Sequence, residues 1–338
     1  MSDNTVLVTG GSGFLGSHTI NALLARDYRV RTTVRSPRGE QQVRATAGTL
    51  DTGRLTVVTA DLTDDDGWVH AVEGCTYVLH VASPFPPAQP RDENEVVRPA
   101  VEGTLRVLRA ARRAGVRRVV VTSSFAAIGY TPKADRSPYD ENDWTDPAGQ
   151  SPYVKSKTLA ERAAWEFAAE SPAAPELTVV NPVGIFGPVL GTEVPSSVAI
   201  VRNLLRGNPP ALPRASFAVV DVRDVADLEL AAMLAPEARG QRFLAAAGQP
   251  LTLPQVAAVL RHRLGSGAAR VPRVAVPDWL VRTASQKMPA LRELSGLLGS
   301  PKEINTTKAI KVLGWQPRSP EDTIADTGRS LLGACAEV

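Results

Sequence analysis

The feature that most constrains this chain is Thr9–Gly16, a glycine-rich stretch near the N-terminus. The apolar run Val6–Val8 before it predicts a short buried strand, and Ser17–Arg26 after it carries apolar residues at helical spacing. A strand, a glycine-rich turn and a helix in that order form the first unit of a dinucleotide-binding fold. The spacing Gly-x-x-Gly-x-x-Gly alone also fits a turn without a ligand, so the prediction of nucleotide binding depends on the flanking strand and helix.

Each glycine of this stretch has a physical role in such a site. Gly10 permits the tight turn, Gly13 lets the cofactor pyrophosphate approach the backbone, and Gly16 lets the helix pack close to the strand. The positions between the glycines are expected to contact the cofactor as well: Ser12, Phe14 and Leu15. The N–H groups and the positive dipole end of the helix would then face the phosphates.

Composition limits the class of protein. The 338 residues, 43% of them hydrophobic, are enough for one large domain or two intimately joined ones. The net charge is only +3, so binding of nucleic acid is not implied. Cys75 and Cys335 lie far apart and the four histidines lack ligand spacing, so we predict neither a disulfide nor a metal site. Without a signal peptide or an apolar run of about 18 residues, the chain is expected to be cytoplasmic, with no membrane segment.

Strand and helix patterns alternate through the first half, which is typical of a parallel sheet covered on both faces. The predicted strands are Arg29–Val34, Leu55–Thr59, Tyr77–Val81, Arg118–Thr122 and Leu177–Val180, and the clearest helix is Val96–Ala114. After about residue 185 prolines become frequent and the alternation is lost. There we predict a strand at Phe217–Val222 and helices at 224–234, 251–264 and 278–300.

The predicted fold class is therefore α/β, a Rossmann-like doubly wound parallel sheet with a smaller, mainly helical C-terminal substrate-binding part. Residues 1–184, with about 217–235, are assigned to the NADP-binding domain. Residues 185–216 and 236–338 are assigned to the interleaved substrate-binding part.

The end of the second strand indicates which nicotinamide cofactor binds. A carboxylate at this position suits the ribose 2′-hydroxyl of NAD, whereas an arginine such as Arg35 suits the 2′-phosphate of NADP. No acid occurs between Thr32 and Ser36, and Arg31 and Arg38 add positive charge, so NADPH/NADP+ is favoured over NADH. Solvated surface arginines are the alternative interpretation.

Two further strand ends carry candidate cofactor contacts. Asp61 follows the third strand, where its carboxylate can accept from the adenine amino group, although an ordinary helix N-cap is an equally good interpretation. Val81, Ala82 and Ser83 follow the core of the fourth strand, where the backbone should pass beside the cofactor ribose.

Candidate catalytic residues occur at Tyr153 and Lys157, four apart on a helix for which Ser151 and Pro152 are a favoured cap and first residue. An ammonium group beside a phenol stabilises the phenolate and lowers its pKa from about 10 toward working pH. The phenol can then exchange a proton with a substrate oxygen. A hydroxyl from Thr122-Ser123-Ser124, at the end of the fifth strand, can hold a carbonyl oxygen beside it.

With these motifs in place, the sequence resembles the extended short-chain dehydrogenases/reductases over nearly its whole length. The nearest likeness is to the group of dihydroflavonol reductases and methylglyoxal and aldehyde reductases. The matching runs are Thr9–Gly16, Thr33–Ser36, Asp61-Leu62-Thr63, His80–Pro84, Val121–Ser124, Tyr153 with Lys157, Asn181–Pro188, Val220–Ala226 and Leu313–Pro317.

The resemblance implies a catalytic triad of Ser124, Tyr153 and Lys157, with Ser124 rather than Ser123 as its serine. It also implies that Lys157 holds the nicotinamide ribose. It places further residues near the cofactor, namely Leu62, Thr122, Tyr153, Pro182, Val183 and Ser197. The expected reaction is NADPH-dependent reduction of a ketone or aldehyde by a monomer or homodimer.

A small-molecule carbonyl substrate should meet a mostly apolar wall, which favours hydrophobic or aromatic compounds. Its predicted members are Phe85, Phe125, Ile128, Tyr130, Phe186 and Val189, together with the C-terminal helices, although each residue taken singly fits ordinary core packing equally well. The polar segment from Thr131 to Gln150 is interpreted as a lid. The alternatives are a nucleotide-sugar epimerase or dehydratase, or a non-catalytic NADP-sensing regulator, since a fold alone does not fix function.

Overall fold

The structure is a computed structural model that describes residues 4–83, 92–191, 194–287, 298–299 and 301–336. Its strands are β1 (Thr5–Thr9), β2 (Arg29–Val34), β3 (Leu55–Thr59), β4 (Cys75–His80), β5 (Arg118–Thr122), β6 (Glu176–Pro182), β7 (Gly184–Phe186), β8 (Leu212–Pro213), β9 (Ser216–Asp221), β10 (Gln241–Ala245), β11 (Ala247–Thr252) and β12 (Ala275–Val276). Its α-helices are α1 (Phe14–Leu24), α2 (Pro37–Ala47), α3 (Trp68–Val72), α4 (Asn94–Arg113), α5 (Pro152–Glu170), α6 (Ser196–Leu205), α7 (Val222–Leu234), α8 (Leu253–Leu264), α9 (Asp278–Lys287), α10 (Thr307–Leu313) and α11 (Pro320–Ala336).

Seven strands form one parallel sheet in the order β10-β6-β5-β4-β1-β2-β3. The order reverses beside β1, which creates the crevice where ligands of doubly wound sheets bind. All five residues of β5 are buried, as is expected of a valine-rich strand covered by helices on both faces. The predicted doubly wound α/β class is confirmed.

The two longest helices of the first half, α4 and α5, pack against each other and against this sheet. Leu108 and Ala111 of α4 are almost completely buried, on the face that the sequence pattern selects. Helix α1 begins at Phe14, three residues before the predicted start, because Gly13 takes the N-cap position. The first turn of α1 therefore includes part of the glycine-rich stretch itself.

The chain divides into two compact units, each made of discontinuous segments. The first comprises Met1–Pro182, Val225–Ala245 and Asn305–Gln316 and contains the seven-stranded sheet. The second comprises Val183–Asp224, Ala246–Ile304 and Pro317–Val338. It contains a three-stranded sheet in the order β11-β9-β7 and a parallel pair, β12-β8.

These boundaries differ from the predicted ones at β9, at β10 and at Asn305–Gln316. β10 was assigned by sequence to the substrate-binding part, but it pairs in parallel with β6, from Gln241 opposite Thr178 to Ala245 opposite Pro182. β9 was assigned to the cofactor domain, but it pairs with β7 and β11 in the second unit. The prediction missed these exchanges because strand partners far apart in sequence leave no local pattern.

Candidate functional site

The glycine-rich loop between β1 and α1 has the shape of a phosphate cradle. Gly10 has φ +71°, and a Cβ built on it would lie 3.0 Å from the Cα and Cβ of Ala82, just beyond β4. A Cβ on Gly16 would lie only 2.3 Å from the carbonyl oxygen of Gly10. A side chain at Gly10 would collide with the backbone that follows β4, and one at Gly16 would push α1 away from β1. The loop therefore fits the pyrophosphate that its sequence predicts.

The backbone opposite this loop is held by a buried hydrogen-bond chain. The amide of Ala82 donates to Thr9 Oγ1 (3.0 Å), which lies 2.9 Å from His80 Nδ1. Burial and the charge of Lys157 lower the pKa of His80 to about 3, so the ring that shares a hydrogen bond with Thr9 is neutral. His80 thus has a structural role: it fixes the backbone at Val81 and Ala82 beside Gly10.

The predicted adenosine end lies at the tips of β2 and β3, which pair Val34 with Thr59. Arg35 is exposed directly after β2, and Ser36 caps α2 by accepting from the amide of Gly39. Gln42 donates to the carbonyl oxygen of Ser12 and so joins α2 to the glycine loop. The tip of β2 therefore presents an arginine, a serine and the start of a helix, all of which suit a phosphate.

Asp61 is half-buried after β3 and accepts from the amide and hydroxyl of Thr63, each at 2.8 Å. These hydrogen bonds lower the pKa of Asp61 despite its burial, and the charges of Arg35 and Arg106 act in the same direction. The carboxylate closes a local turn and does not cap α3, whose N-cap is Gly67. The alternative interpretation of Asp61 as a helix cap is therefore wrong.

Arg31 does not join this basic end, because its guanidinium donates to the carbonyl oxygens of His70 and Glu73 at the end of α3. A side chain committed to capping a helix C-terminus is not available to a phosphate. Arg35, directly after β2, remains the predicted contact of the 2′-phosphate.

The candidate catalytic groups meet at the ends of β5 and α5. As predicted, Ser151 accepts from the amide of Val154 as the N-cap of α5, and Pro152 is its first residue. The phenol oxygen of Tyr153 lies 3.4 Å from Ser124 Oγ, which also accepts from the amide of Ala126. Tyr153 remains 38% exposed, so the pair can reach a molecule in solution.

The other two hydroxyls of the Thr-Ser-Ser run are committed elsewhere. Thr122 donates to Glu229 of α7, and Ser123 donates to Glu161 of α5, both at 2.5 Å. Burial raises the pKa of Glu229 to about 7, although Thr122 and Thr19 stabilise its charged form. Ser124 alone of the three faces Tyr153, and this is the geometry that the choice of Ser124 over Ser123 requires.

The electrostatics differ from the expected ones. Although 38% of Tyr153 is exposed, desolvation of its phenol by the surrounding protein raises its pKa, and its hydrogen bond with Ser124 opposes the shift. Burial also lowers the pKa of Lys157 to about 8, and Glu161 opposes that change. The pKa of Tyr153 therefore lies above its ordinary value, and the prediction that it is lowered toward working pH is wrong. Lys157 nevertheless titrates within reach of neutral pH.

Three side chains of the predicted substrate wall are packed in the core. Ile128 and Phe186 are each 1% exposed, Phe125 is 8% exposed, and Phe186 stacks on Phe217 within the second unit. A side chain with at most 8% of its surface exposed offers a ligand almost no contact area, so the structure does not support these three assignments. Tyr130 is 39% exposed and remains a candidate, while Phe85 lies outside the described residues.

The segment from Thr131 to Gln150 is anchored. Arg242 of β10 donates to the carbonyl oxygens of Glu141 and Asp143, and Glu141 accepts from the amide of Leu244. Tyr139 donates to the carbonyl oxygen of Thr131. Because these bonds fix the segment to the sheet edge, the structure corrects its interpretation as a lid.

Three cofactor residues implied by resemblance lie at or beyond the end of β6. Pro182 ends β6 and is buried, and Val183 follows it half-buried as the first residue of the second unit. Ser197 lies in the first turn of α6 and donates to the carbonyl oxygen of Ile185. Their roles toward a cofactor remain predictions.

Within the described residues, no group of three or more histidine, cysteine, aspartate or glutamate side chains could hold a metal ion. Over the same part of the chain, every helix is too short or too polar to cross a membrane.

Comparison with known proteins identifies the family. A model described as the NAD dependent epimerase/dehydratase family matches residues 6–246. Cinnamoyl-CoA reductase 1 of Petunia hybrida is 39% identical over 253 residues, or 73% of each chain. Dihydroflavonol 4-reductase of Zea mays is 37% identical over 273 residues, covering 77% of this chain and 74% of the relative.

A solved structure of a reductase also matches this chain. Yeast methylglyoxal/isovaleraldehyde reductase Gre2, solved in complex with NADPH, superposes with a TM-score of 0.82 at 28% identity. The match covers 99% of this chain and 100% of that one. The chain therefore belongs to the NAD-dependent epimerase/dehydratase family, that is, to the extended short-chain dehydrogenases/reductases.

Proposed function

We propose that the protein is an NADPH-dependent reductase that converts a hydrophobic or aromatic ketone or aldehyde to an alcohol. The observation that carries this proposal is the 3.4 Å contact between Tyr153 and Ser124 at the end of the central strands. Lys157 follows one helical turn later, and a glycine loop shaped for a dinucleotide lies at the same edge of the sheet. An acid, an oxyanion donor and a cofactor cradle together are what carbonyl reduction needs.

The residues present fit a dinucleotide. The loop from Gly10 to Gly16 would hold the pyrophosphate at the start of α1, and Asp61 would accept from the adenine. Arg35 would pair with the 2′-phosphate, and Lys157 would hold the nicotinamide ribose. When bound, NADPH supplies the hydride.

The side chains divide the remaining work. Ser124 donates a hydrogen bond to the carbonyl oxygen and stabilises the negative charge that develops on it. Tyr153 transfers its proton to that oxygen as the alcohol forms. The ammonium group of Lys157 favours the resulting phenolate by its positive charge.

The substrate class is inferred from the relatives and from what remains of the predicted wall. The two plant relatives are named for reduction of a cinnamoyl thioester and of a dihydroflavonol, both aromatic, and the yeast reductase for methylglyoxal and isovaleraldehyde. Tyr130, exposed close to Tyr153, supplies an aromatic surface on the same side. Aromatic carbonyl compounds are therefore the first substrates to test.

The proposal is tested by following NADPH consumption with a panel of aryl ketones, aromatic aldehydes and aliphatic aldehydes. We expect turnover with members of this panel and formation of the corresponding alcohol. Purified protein that retains tightly held cofactor, binds UDP and leaves every carbonyl compound unchanged would indicate a nucleotide-sugar epimerase or dehydratase instead. A protein that binds NADPH but neither turns over carbonyl compounds nor binds UDP would be a cofactor sensor.

Cofactor preference is expected to depend on Arg35. Replacing Arg35 with alanine removes a charge-assisted contact worth about 1.5–3 kcal/mol, or roughly 10- to 100-fold in affinity. Titration with NADPH and NADH should show that loss for NADPH and little change for NADH. Arg29→Ala, the same change at the exposed arginine that begins β2, at the opposite end of the strand from Arg35, is the matched control. Equal losses for both cofactors in Arg35→Ala would refute the assignment.

A further inference from the structure

Glu161 is a completely buried carboxylate one helical turn beyond Lys157 on α5. It accepts from Ser123 Oγ at 2.5 Å, from Asn181 Nδ2 at 2.7 Å and from Arg242 Nε at 2.6 Å. A buried charge is tolerated only when it is paired and hydrogen-bonded, and Glu161 meets both conditions. Glu161 therefore binds Ser123 just after β5, Asn181 of β6 and Arg242 of β10 at one point beside the candidate catalytic site.

Two of these contacts lead directly to Ser124. Ser123 precedes it in the chain, and its own amide donates to the carbonyl oxygen of Val180. The amide group of Asn181 donates both to Glu161 and to the carbonyl oxygen of Ser124, the latter at 3.2 Å. Glu161 thus fixes the backbone on both sides of the serine hydroxyl that faces Tyr153.

A third relation links Glu161 to Lys157. Residues four apart share a helix face, and both side chains line one small cavity at the ends of β4 and β5. The other elements around that cavity contribute uncharged groups: neutral His80 from β4, the hydroxyls of Thr122 and Ser123 from the end of β5, and Ala100 and Thr104 from α4. Among the groups lining the cavity, Glu161 is the carboxylate that favours the charged form of Lys157.

Arg242 connects this arrangement to the edge of the sheet. Its guanidinium lies 3.9 Å from the ring centroid of Trp144 and donates to the carbonyl oxygens of Glu141 and Asp143. Because Arg242 is almost fully buried and fixed by these groups, its positive charge stays beside Glu161 and offsets part of its negative charge.

We propose that Glu161, balanced by Arg242, is a positioning residue of the active site, which aligns Ser124 through Ser123 and Asn181 and sets the charge state of Lys157. The assignment of Ser124 and Lys157 as catalytic rests on the proposed function. The contacts of Glu161 do not, so its effect on Lys157 can be measured in the free protein.

The first test is direct titration of Lys157 by NMR of protein labelled at lysine Cε. The chain has seven lysines, and Lys157→Arg identifies the signal. Glu161→Gln keeps the shape but removes the negative charge, so the pKa of Lys157 should fall from about 8, by roughly one unit. Arg242→Gln removes the balancing positive charge and should move the same pKa upward.

The second test is the pH dependence of kcat/KM for NADPH-dependent reduction, which reports the ionisations of the enzyme before the substrate binds. A fall of about one unit in the pKa of Lys157 would leave Glu161→Gln close to wild type at pH 6 and about fivefold slower at pH 8. KM should change little, because Glu161 is buried and reaches the substrate only through other residues.

The matched control is Glu176→Gln. This change breaks the ion pair between Glu176 and Arg118 (2.7 Å), which joins β6 to β5 at the opposite end of both strands. It should lower stability without moving the pKa of Lys157 or the pH profile. An unchanged pKa of Lys157 in both Glu161→Gln and Arg242→Gln would overturn the proposal; if Glu161→Gln does not fold, the upward shift in Arg242→Gln decides alone. If no carbonyl compound is reduced, the proposed function fails, and the NMR titration still tests Glu161.

Discussion

Replacing Tyr153 with phenylalanine is expected to lower kcat by about 10²- to 10⁴-fold, the range of a lost general acid, while NADPH affinity stays within a few-fold of wild type. The change removes only the phenol oxygen that lies 3.4 Å from Ser124. Tyr153 is 38% exposed, so water can replace the lost hydroxyl as a partner of Ser124. Steady-state kinetics with the best carbonyl substrate and a binding titration with NADPH measure the two quantities separately.

Tyr139→Phe is the matched control, because it makes the same chemical change in a buried tyrosine whose hydroxyl donates to the carbonyl oxygen of Thr131. Losing that bond should cost about 1 kcal/mol of stability and leave kcat within about twofold of wild type. Near-normal turnover of Tyr153→Phe would refute Tyr153 as the acid. A loss of NADPH binding equal to the loss of turnover would make it a cofactor contact instead.

The sequence predicts the parts of this site that depend on local chemistry. The tight turn at Gly10, the cap at Ser151 and the start of α5 at Pro152 follow from residue types whose conformational preferences are strong. The choice of Ser124 in the Thr-Ser-Ser run follows from the family resemblance. The structure adds a physical reason for it, since the hydroxyls of Thr122 and Ser123 are bound to buried carboxylates.

The groups behind the site could not be found in the same way. Glu161 lies four residues after Lys157, a spacing that any exposed helical pair would share. Its partners Asn181 and Arg242 come from strands 20 and 81 positions away in sequence, and only the pairing of β10 with β6 brings Arg242 to it. Long-range strand pairing is the information that a single sequence lacks.

Burial explains the errors in the substrate wall and in the expected pKa of Tyr153. An aromatic residue after a strand fits a pocket and a core equally well, and Phe186 is in a core because Phe217 of β9 stacks on it. The sequence shows that a lysine lies one turn from a phenol, but desolvation, which raises the pKa of Tyr153, depends on the folded surroundings. The burial of Phe186 and the pKa of Tyr153 both depend on the assembled structure and not on the spacing of residues in the sequence.

Replacing Gly16 with alanine is expected to weaken NADPH binding by about 100-fold, or roughly 2.7 kcal/mol, and to lower stability by about 1–3 kcal/mol. The new Cβ would lie 2.3 Å from the carbonyl oxygen of Gly10, a backbone atom that cannot rotate away. Helix α1 must then shift outward, and its first N–H groups move away from the position of the pyrophosphate. Thermal unfolding and an NADPH titration measure the two effects.

Gly13→Ala separates the role of the loop in folding from its role in binding. A Cβ on Gly13 would lie 3.2 Å from the same oxygen, and the backbone of Gly13 (φ −78°) suits alanine, so stability should change by less than about 1 kcal/mol. NADPH affinity should still fall, because the methyl group would occupy the closest approach of the pyrophosphate. Wild-type affinity in both variants would mean that this loop does not hold the phosphates, and the proposed reductase would then lack its cofactor site.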